Sequence, residues 1–181
     1  MRAVGLDLSL CSTGLSDGRY TKVVQTSPDT GCLEARLDHI ARGVVSFVLA
    51  DGGADLAVIE GASYGSKGSA VEQLAALRLL VRHRLWRLNI PFALVAPSTL
   101  KLYVTGDGRA TKPQMVAAVA ARYAHDFAGV KVKDGRYDMA DAFGLAAMGY
   151  DQSGHALLDR ATTPDRTSLT SVTWTVLYSD D

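Results

Sequence analysis

The alternation and clustering of apolar positions mark out most of this chain's elements. Residues 2–9 form an apolar, β-compatible run, residues 13–17 followed by Gly18 form a second, and residues 20–26 form a third. Turn residues separate the three closely, so antiparallel hairpin pairing is expected. From Leu33 onward Leu37, Ile40, Val44, Phe47 and Val48 recur at helical spacing, and Asp51-Gly52-Gly53 ends the helix. Residues 54–59 are almost continuously apolar, the pattern of a strand covered on both faces, and the run ends in Glu60. A loop rich in Gly and Ser, 61–69, leads into a helix over 71–88, and 91–95 reads as another buried strand.

Further along, Ser98 is placed to cap a short helix reaching Val104. Thr111 is placed to cap a helix from Lys112 to Ala124, with Pro113 tolerated in its first turn. A last helix spans 137–150. Three strands followed by alternating helices and strands predict an α/β domain. Its central sheet is mixed, antiparallel across the first three strands and parallel at the fourth and fifth, with helices on its faces. Residues 1–150 are expected to form one domain. Residues 151–181 shift to Thr, Ser and Asp, carry one β-like stretch at 172–178, and are expected to be a partly flexible extension.

Composition adjusts this picture only slightly. With 181 residues, 48% of them hydrophobic and 21% charged, the chain can bury a core without staples. Its 19 basic and 19 acidic side chains cancel, so it lacks the basic surplus of many nucleic-acid binders. If carboxylates gather at a metal site, the remaining surface is relatively positive. Cys11 and Cys32 lack a metal-binding spacing and read as reduced thiols. No run approaches the roughly 20 apolar residues of a membrane span, and the N-terminus opens directly into a strand, so a cytoplasmic protein is expected.

Four acids carry the chemistry. Asp7 is a charge inside an apolar strand, where Val or Ile would normally stand. Glu60 repeats the anomaly at the C-terminal end of a second buried strand, and parallel neighbours would deliver both carboxylates to one sheet edge. Asp138 and Asp141, three apart near a helix start, share one face. Read alone, Asp138 is an N-cap candidate, Asp141 a first-turn acid, Asp7 an Asx-turn residue and Glu60 an arginine partner. Taken together, four converging carboxylates would repel one another unless a hard cation, Mg²⁺ or Mn²⁺, lay between them.

Gly5-Leu6-Asp7, Val58-Ile59-Glu60 and Asp138-Met139-Ala140-Asp141-Ala142 stand in the order and approximate spacing of the metal-binding acids of RuvC-type Holliday-junction resolvases. Leu100-Lys101, Val104, Gly106, Gly108 and Ala110-Thr111-Lys112 extend the likeness. Over residues 1–150 the chain resembles that family. The resemblance implies an RNase H-like fold and Mg²⁺-dependent cleavage of branched DNA, with Asp7, Glu60, Asp138 and Asp141 as metal ligands. It also implies support from Lys101 and Lys112, action as a homodimer on four-way junctions, and an aromatic residue in the loop after Glu60.

Tyr64 and Lys67 in that loop are candidate DNA contacts, and Tyr64 equally suits packing within the loop. On the next helix, Arg78, Arg82, His83, Arg84 and Arg87 spread around the cylinder, as on a solvated face, and Leu77, Leu80, Val81 and Trp86 are either interface or core. A nucleotide-dependent phosphotransfer fold matches Asp7-Leu8-Ser9 and Thr13-Gly14 loosely but lacks the expected glycine-rich loops. The same residues are compatible with a non-cutting nucleic-acid-binding relative, and with a nuclease acting on differently branched or RNA-containing substrates.

Overall fold

The computed structural model describes residues 1–62, 68–158 and 166–174. Its strands are β1 (Ala3–Asp7), β2 (Ser12–Ser16), β3 (Thr21–Gln25), β4 (Leu56–Glu60), β5 (Phe92–Val95) and β6 (Thr173–Trp174). The helices are α1 (Leu33–Leu49), α2 (Ser69–Arg87), α3 (Pro97–Thr105), α4 (Lys112–Tyr123) and α5 (Arg136–Gln152). The strands form one sheet in the order β3-β2-β1-β4-β5-β6. Pairing is antiparallel from β3 through β1 and parallel from β1 through β5, the expected mixed sheet. Within the β-like stretch expected at 172–178, β6 adds an antiparallel edge, with Thr173 beside Leu94 and Trp174 beside Ala93, and 175–178 lie outside the described residues.

Every residue of β1 is buried, so the strand is covered on both faces and its sequence shows no polar alternation. Val4 and Leu6 face one layer, where α1 and α2 supply Ile40, Val44, Leu77, Val81 and Leu85. On the other face, Val58, Ala93 and Val95 meet α3, α4 and α5 through Leu100, Val104, Met115, Phe143 and Leu145. Leu77 and Val81 are therefore core, whereas Leu79 and Trp86 of α2 are exposed.

Two close approaches set the site. A Cβ on Gly5 would lie 1.9 Å from the Ala142 carbonyl oxygen, and one on Gly14 would lie 2.0 Å from that of Asp138. Only glycine admits backbone that near. The first turns of α5 are thereby seated directly over β1 and β2.

Helix starts differ in detail from the sequence reading. Pro97 opens α3 with Ala96 at the cap position, so Ser98 lies inside the first turn instead of capping it. Thr111 stands at the cap position of α4 as expected, and its amide and hydroxyl both donate to Gln114 Oε1 at 2.8 Å. The cap position of α5 is Gly135, in the left-handed region at φ 88°. Asp138 is consequently not a cap but a first-turn residue. At the other end α5 runs past Tyr150 to Gln152, and residues 166–174 pack back on the domain through Leu169 and Val172. Arg166 forms an ion pair with the buried Asp151, whose other oxygen accepts a hydrogen bond from Tyr103 Oη at 3.1 Å.

Candidate active site

Asp7 and Glu60 end neighbouring parallel strands, one position beyond the Leu6–Ile59 pair. Both share the parity of the sheet face that α5 covers. Asp138 and Asp141 stand on the first turns of that helix, and all four carboxylates interact electrostatically. Burial, then Glu60, Asp141 and Asp138, hold the Asp7 carboxyl well above its usual range. Burial, then Glu60, pushes Asp141 up to about 7, against the opposing pull of Lys112 and Lys101. Burial also raises Glu60, while its hydrogen bond with Asp7 and the charges of Arg78, Lys112 and Lys101 oppose the rise.

The side chains are turned toward several partners. Asp7 and Glu60 lie within hydrogen-bonding reach of each other. Asp138 Oδ2 accepts a hydrogen bond from Ser12 Oγ at 2.5 Å, and Lys112 Nζ stands 3.9 Å from its Oδ1. Among the described residues no group of three or more carboxylate, imidazole or thiolate side chains is gathered closely enough to hold a metal ion. The arrangement is that of acids relieving mutual repulsion pairwise or through neighbouring donors.

Lys112 is exposed at the start of α4, with Nζ 5.8 Å from the Tyr137 ring centroid, and Lys101 is half-buried on α3. Both lie within electrostatic reach of Glu60 and Asp141. Tyr64 and Lys67 fall outside the described residues. Two site residues carry no clear signal in the sequence. Arg78 is not on a solvated face: it donates to the Gly61 carbonyl at 3.0 Å and lowers Glu60. Ser12 has no sequence signal linking it to Asp138, 126 positions away.

No family model matches the chain. A crossover junction endodeoxyribonuclease RuvC from Nocardioides sp. (strain ATCC BAA-499 / JS614) is 31% identical over 182 residues, covering 94% of this chain and 99% of that protein. The chain belongs to the RuvC family. Among solved structures, Thermus thermophilus RuvC superposes at TM-score 0.66 and T. thermophilus RuvC in complex with Holliday junction substrate at 0.68. Each is 18% identical and covers 86% of this chain and 98% of its own. At that identity the likeness concerns the fold alone.

Proposed function

We propose that this RuvC-family chain is a metal-dependent endodeoxyribonuclease that resolves four-way DNA junctions in recombination and repair. The observation that carries this reading is that Asp7, Glu60, Asp138 and Asp141, from two strands and a helix, lie within electrostatic reach of one another and of Lys101 and Lys112. All four donors are carboxylate oxygens, which suit a hard cation such as Mg²⁺ or Mn²⁺, and the raised proton affinities of Asp7, Glu60 and Asp141 mark undercompensated negative charge there. The four acids would hold that cation. Bound there, it supplies Lewis-acid polarisation of a phosphodiester and favours in-line hydrolysis.

The chain's own cations complete the chemistry. Lys112, beside Asp138 and open to solvent, offers positive charge where a phosphate would gather negative charge in the transition state. Lys101 supports from the half-buried side, and Arg78 fixes the chain where it leaves β4. In this reading Tyr64 meets an unpaired base and Lys67 a phosphate, both in the loop after Glu60. Residues 1–150 form the nuclease domain, and 166–174 of the following segment pack back on it through Leu169 and Val172. Two chains form a homodimer, because one chain carries one acidic quartet and a junction offers two symmetry-related strands. Among the described residues no helix is long and apolar enough to cross a membrane, and a cytoplasmic setting with access to DNA fits.

Cleavage of a fixed four-way junction, its matched duplex and an RNA-containing branch, each in Mg²⁺, tests the reading. The wild type should cut the junction preferentially. Asp7→Asn should lose at least about a hundredfold in rate while still binding the junction. Junction binding without cleavage would support a non-cutting relative, and preferential cutting of the RNA-containing branch would redirect the substrate.

A further inference from the structure

We propose that Ser12 is a positioning residue for the metal site, holding the Asp138 carboxylate in its ligating orientation. The inference rests on the metal-site reading above. Ser12 Oγ donates to Asp138 Oδ2 at 2.5 Å, whereas Oδ1 has Lys112 Nζ at 3.9 Å. The two oxygens are thus distinguished: a neutral donor holds one firmly, and the other stands without so short a bond.

Local geometry supplies the hydroxyl directly. Ser12 is the first residue of β2, and the preceding turn is served by other groups. Ser9 Oγ accepts from the Cys11 and Ser12 amides, and Thr13 Oγ1 donates to the Ser9 carbonyl. The Ser12 side chain is left for Asp138. Close backbone packing keeps it there: a Cβ at Gly135 would stand 2.9 Å from Ser12 Oγ and 2.6 Å from Val23 Cγ2. With Gly14 against the Asp138 carbonyl, β2 and the start of α5 form one unit whose facing side chains are Ser12 and Asp138.

A carboxylate in the first turn of a helix can change rotamer at modest cost, and its terminal torsion is broad. Anchoring Oδ2 removes that freedom and leaves Oδ1, with Lys112 Nζ 3.9 Å away, as the oxygen open to a cation. Contacts of this kind behind a ligand typically carry about 10–100-fold in metal affinity. A hydroxyl can do this without adding charge to a site already flanked by lysines.

Mn²⁺ binding to the DNA-free protein tests the role by calorimetry, with wild type, Ser12→Ala, Ser12→Thr, Asp138→Asn and the double variant Ser12→Ala/Asp138→Asn. Ser12→Ala should weaken Mn²⁺ binding by about tenfold or more. Ser12→Thr, which keeps the donor on a strand-compatible side chain, should stay close to wild type. In the Asp138→Asn background the alanine should cost nothing further, because the two residues act through one contact. The half-saturating Mg²⁺ concentration for cleavage should rise by the same factor in Ser12→Ala, with the rate at saturating Mg²⁺ retained and the metal-free melting temperature close to wild type. Wild-type Mn²⁺ affinity in Ser12→Ala, equal losses in both backgrounds, or a threonine as weak as alanine overturns the role of Ser12. A wild-type protein that binds no Mn²⁺ overturns the metal site itself, and with it this inference.

Discussion

Asp7 and Glu60 stand side by side at the ends of β1 and β4, with carboxyls close enough to share a hydrogen bond. Two carboxyls in that relation share a proton more readily than they carry two charges. Asp141 adds a third acid whose proton affinity burial has raised. The strand ends are thus a site whose full ionisation the fold resists.

Stability without metal should therefore fall as pH rises. A carboxyl whose folded pKa lies above its unfolded value binds its proton more tightly in the native state. The stabilisation is complete below the unfolded value, near 4, and is lost as pH rises through the folded value. With Asp141 at about 7 and Asp7 and Glu60 also raised, the loss extends from weakly acidic pH past neutrality. In EDTA the melting temperature should drop between pH 5 and 8, by about 2–4 °C per kcal/mol lost. Mn²⁺ should restore more at pH 8 than at pH 5. A flat profile in EDTA would mean that these acids ionise freely in the native state.

Lys112→Ala should slow junction cleavage by about 10–100-fold while weakening junction binding less, since a charge used at the transition state registers chiefly in the rate. Its Nζ lies 3.9 Å from Asp138 Oδ1, and its charge opposes the rise at Glu60 and Asp141. Lys101→Ala should move in the same direction. Equal losses in rate and affinity would make either lysine a binding residue.

The acids are legible in the sequence because each breaks a local pattern: Asp7 interrupts an apolar strand, Glu60 ends one, and Asp138 and Asp141 share a helix face. The mixed sheet follows from the close turns between the first strands and from the helices before the later ones. Ser12 is illegible because its partner is 126 positions away and no periodicity couples a strand start to a helix turn. Arg78 is hidden among neighbouring arginines, since spacing alone does not say which one faces the Gly61 carbonyl. Pro97 is the signal for the true start of α3, and Ser98, a good capping residue one position later, competes with it. Strand β6, Thr173–Trp174, falls within the β-like stretch read at 172–178, but its pattern does not say that it pairs with the edge of the sheet beside β5.

Gly14→Ala should damage the site from behind. Its Cβ would fall 2.0 Å from the Asp138 carbonyl oxygen, which is backbone and cannot swing away. Overpacking of this kind costs about 1–3 kcal/mol, and the strain acts on the turn that carries Asp138. A lower melting temperature should accompany weaker Mn²⁺ binding. Loss of stability with unchanged Mn²⁺ affinity would show that the start of α5 absorbs the shift without moving its carboxylate.

The dimer prediction turns on which face of α2 is left over. Leu77, Val81 and Leu85 are buried against the sheet, while Leu79 is 64% and Trp86 52% exposed. Leu79, His83 and Trp86 fall at i, i+4 and i+7, one stripe of the helix, and the His83 ring stacks on Trp86 at 5.9 Å. A lone exposed apolar side chain is ordinary, but an outward stripe on a helix suits a self-complementary contact with the same helix of a second copy. Because neither Leu79 nor Trp86 contributes to the buried core, Leu79→Glu with Trp86→Glu should leave the folded chain near its wild-type melting temperature in EDTA. The same pair would set like charges against each other across a two-fold axis. Sedimentation should then show a dimer in the wild type and a monomer in the variant. Paired cuts on the two opposed strands of a junction should give way to single nicks. A variant that carries both glutamates and still sediments as a dimer would move the interface away from this face of α2.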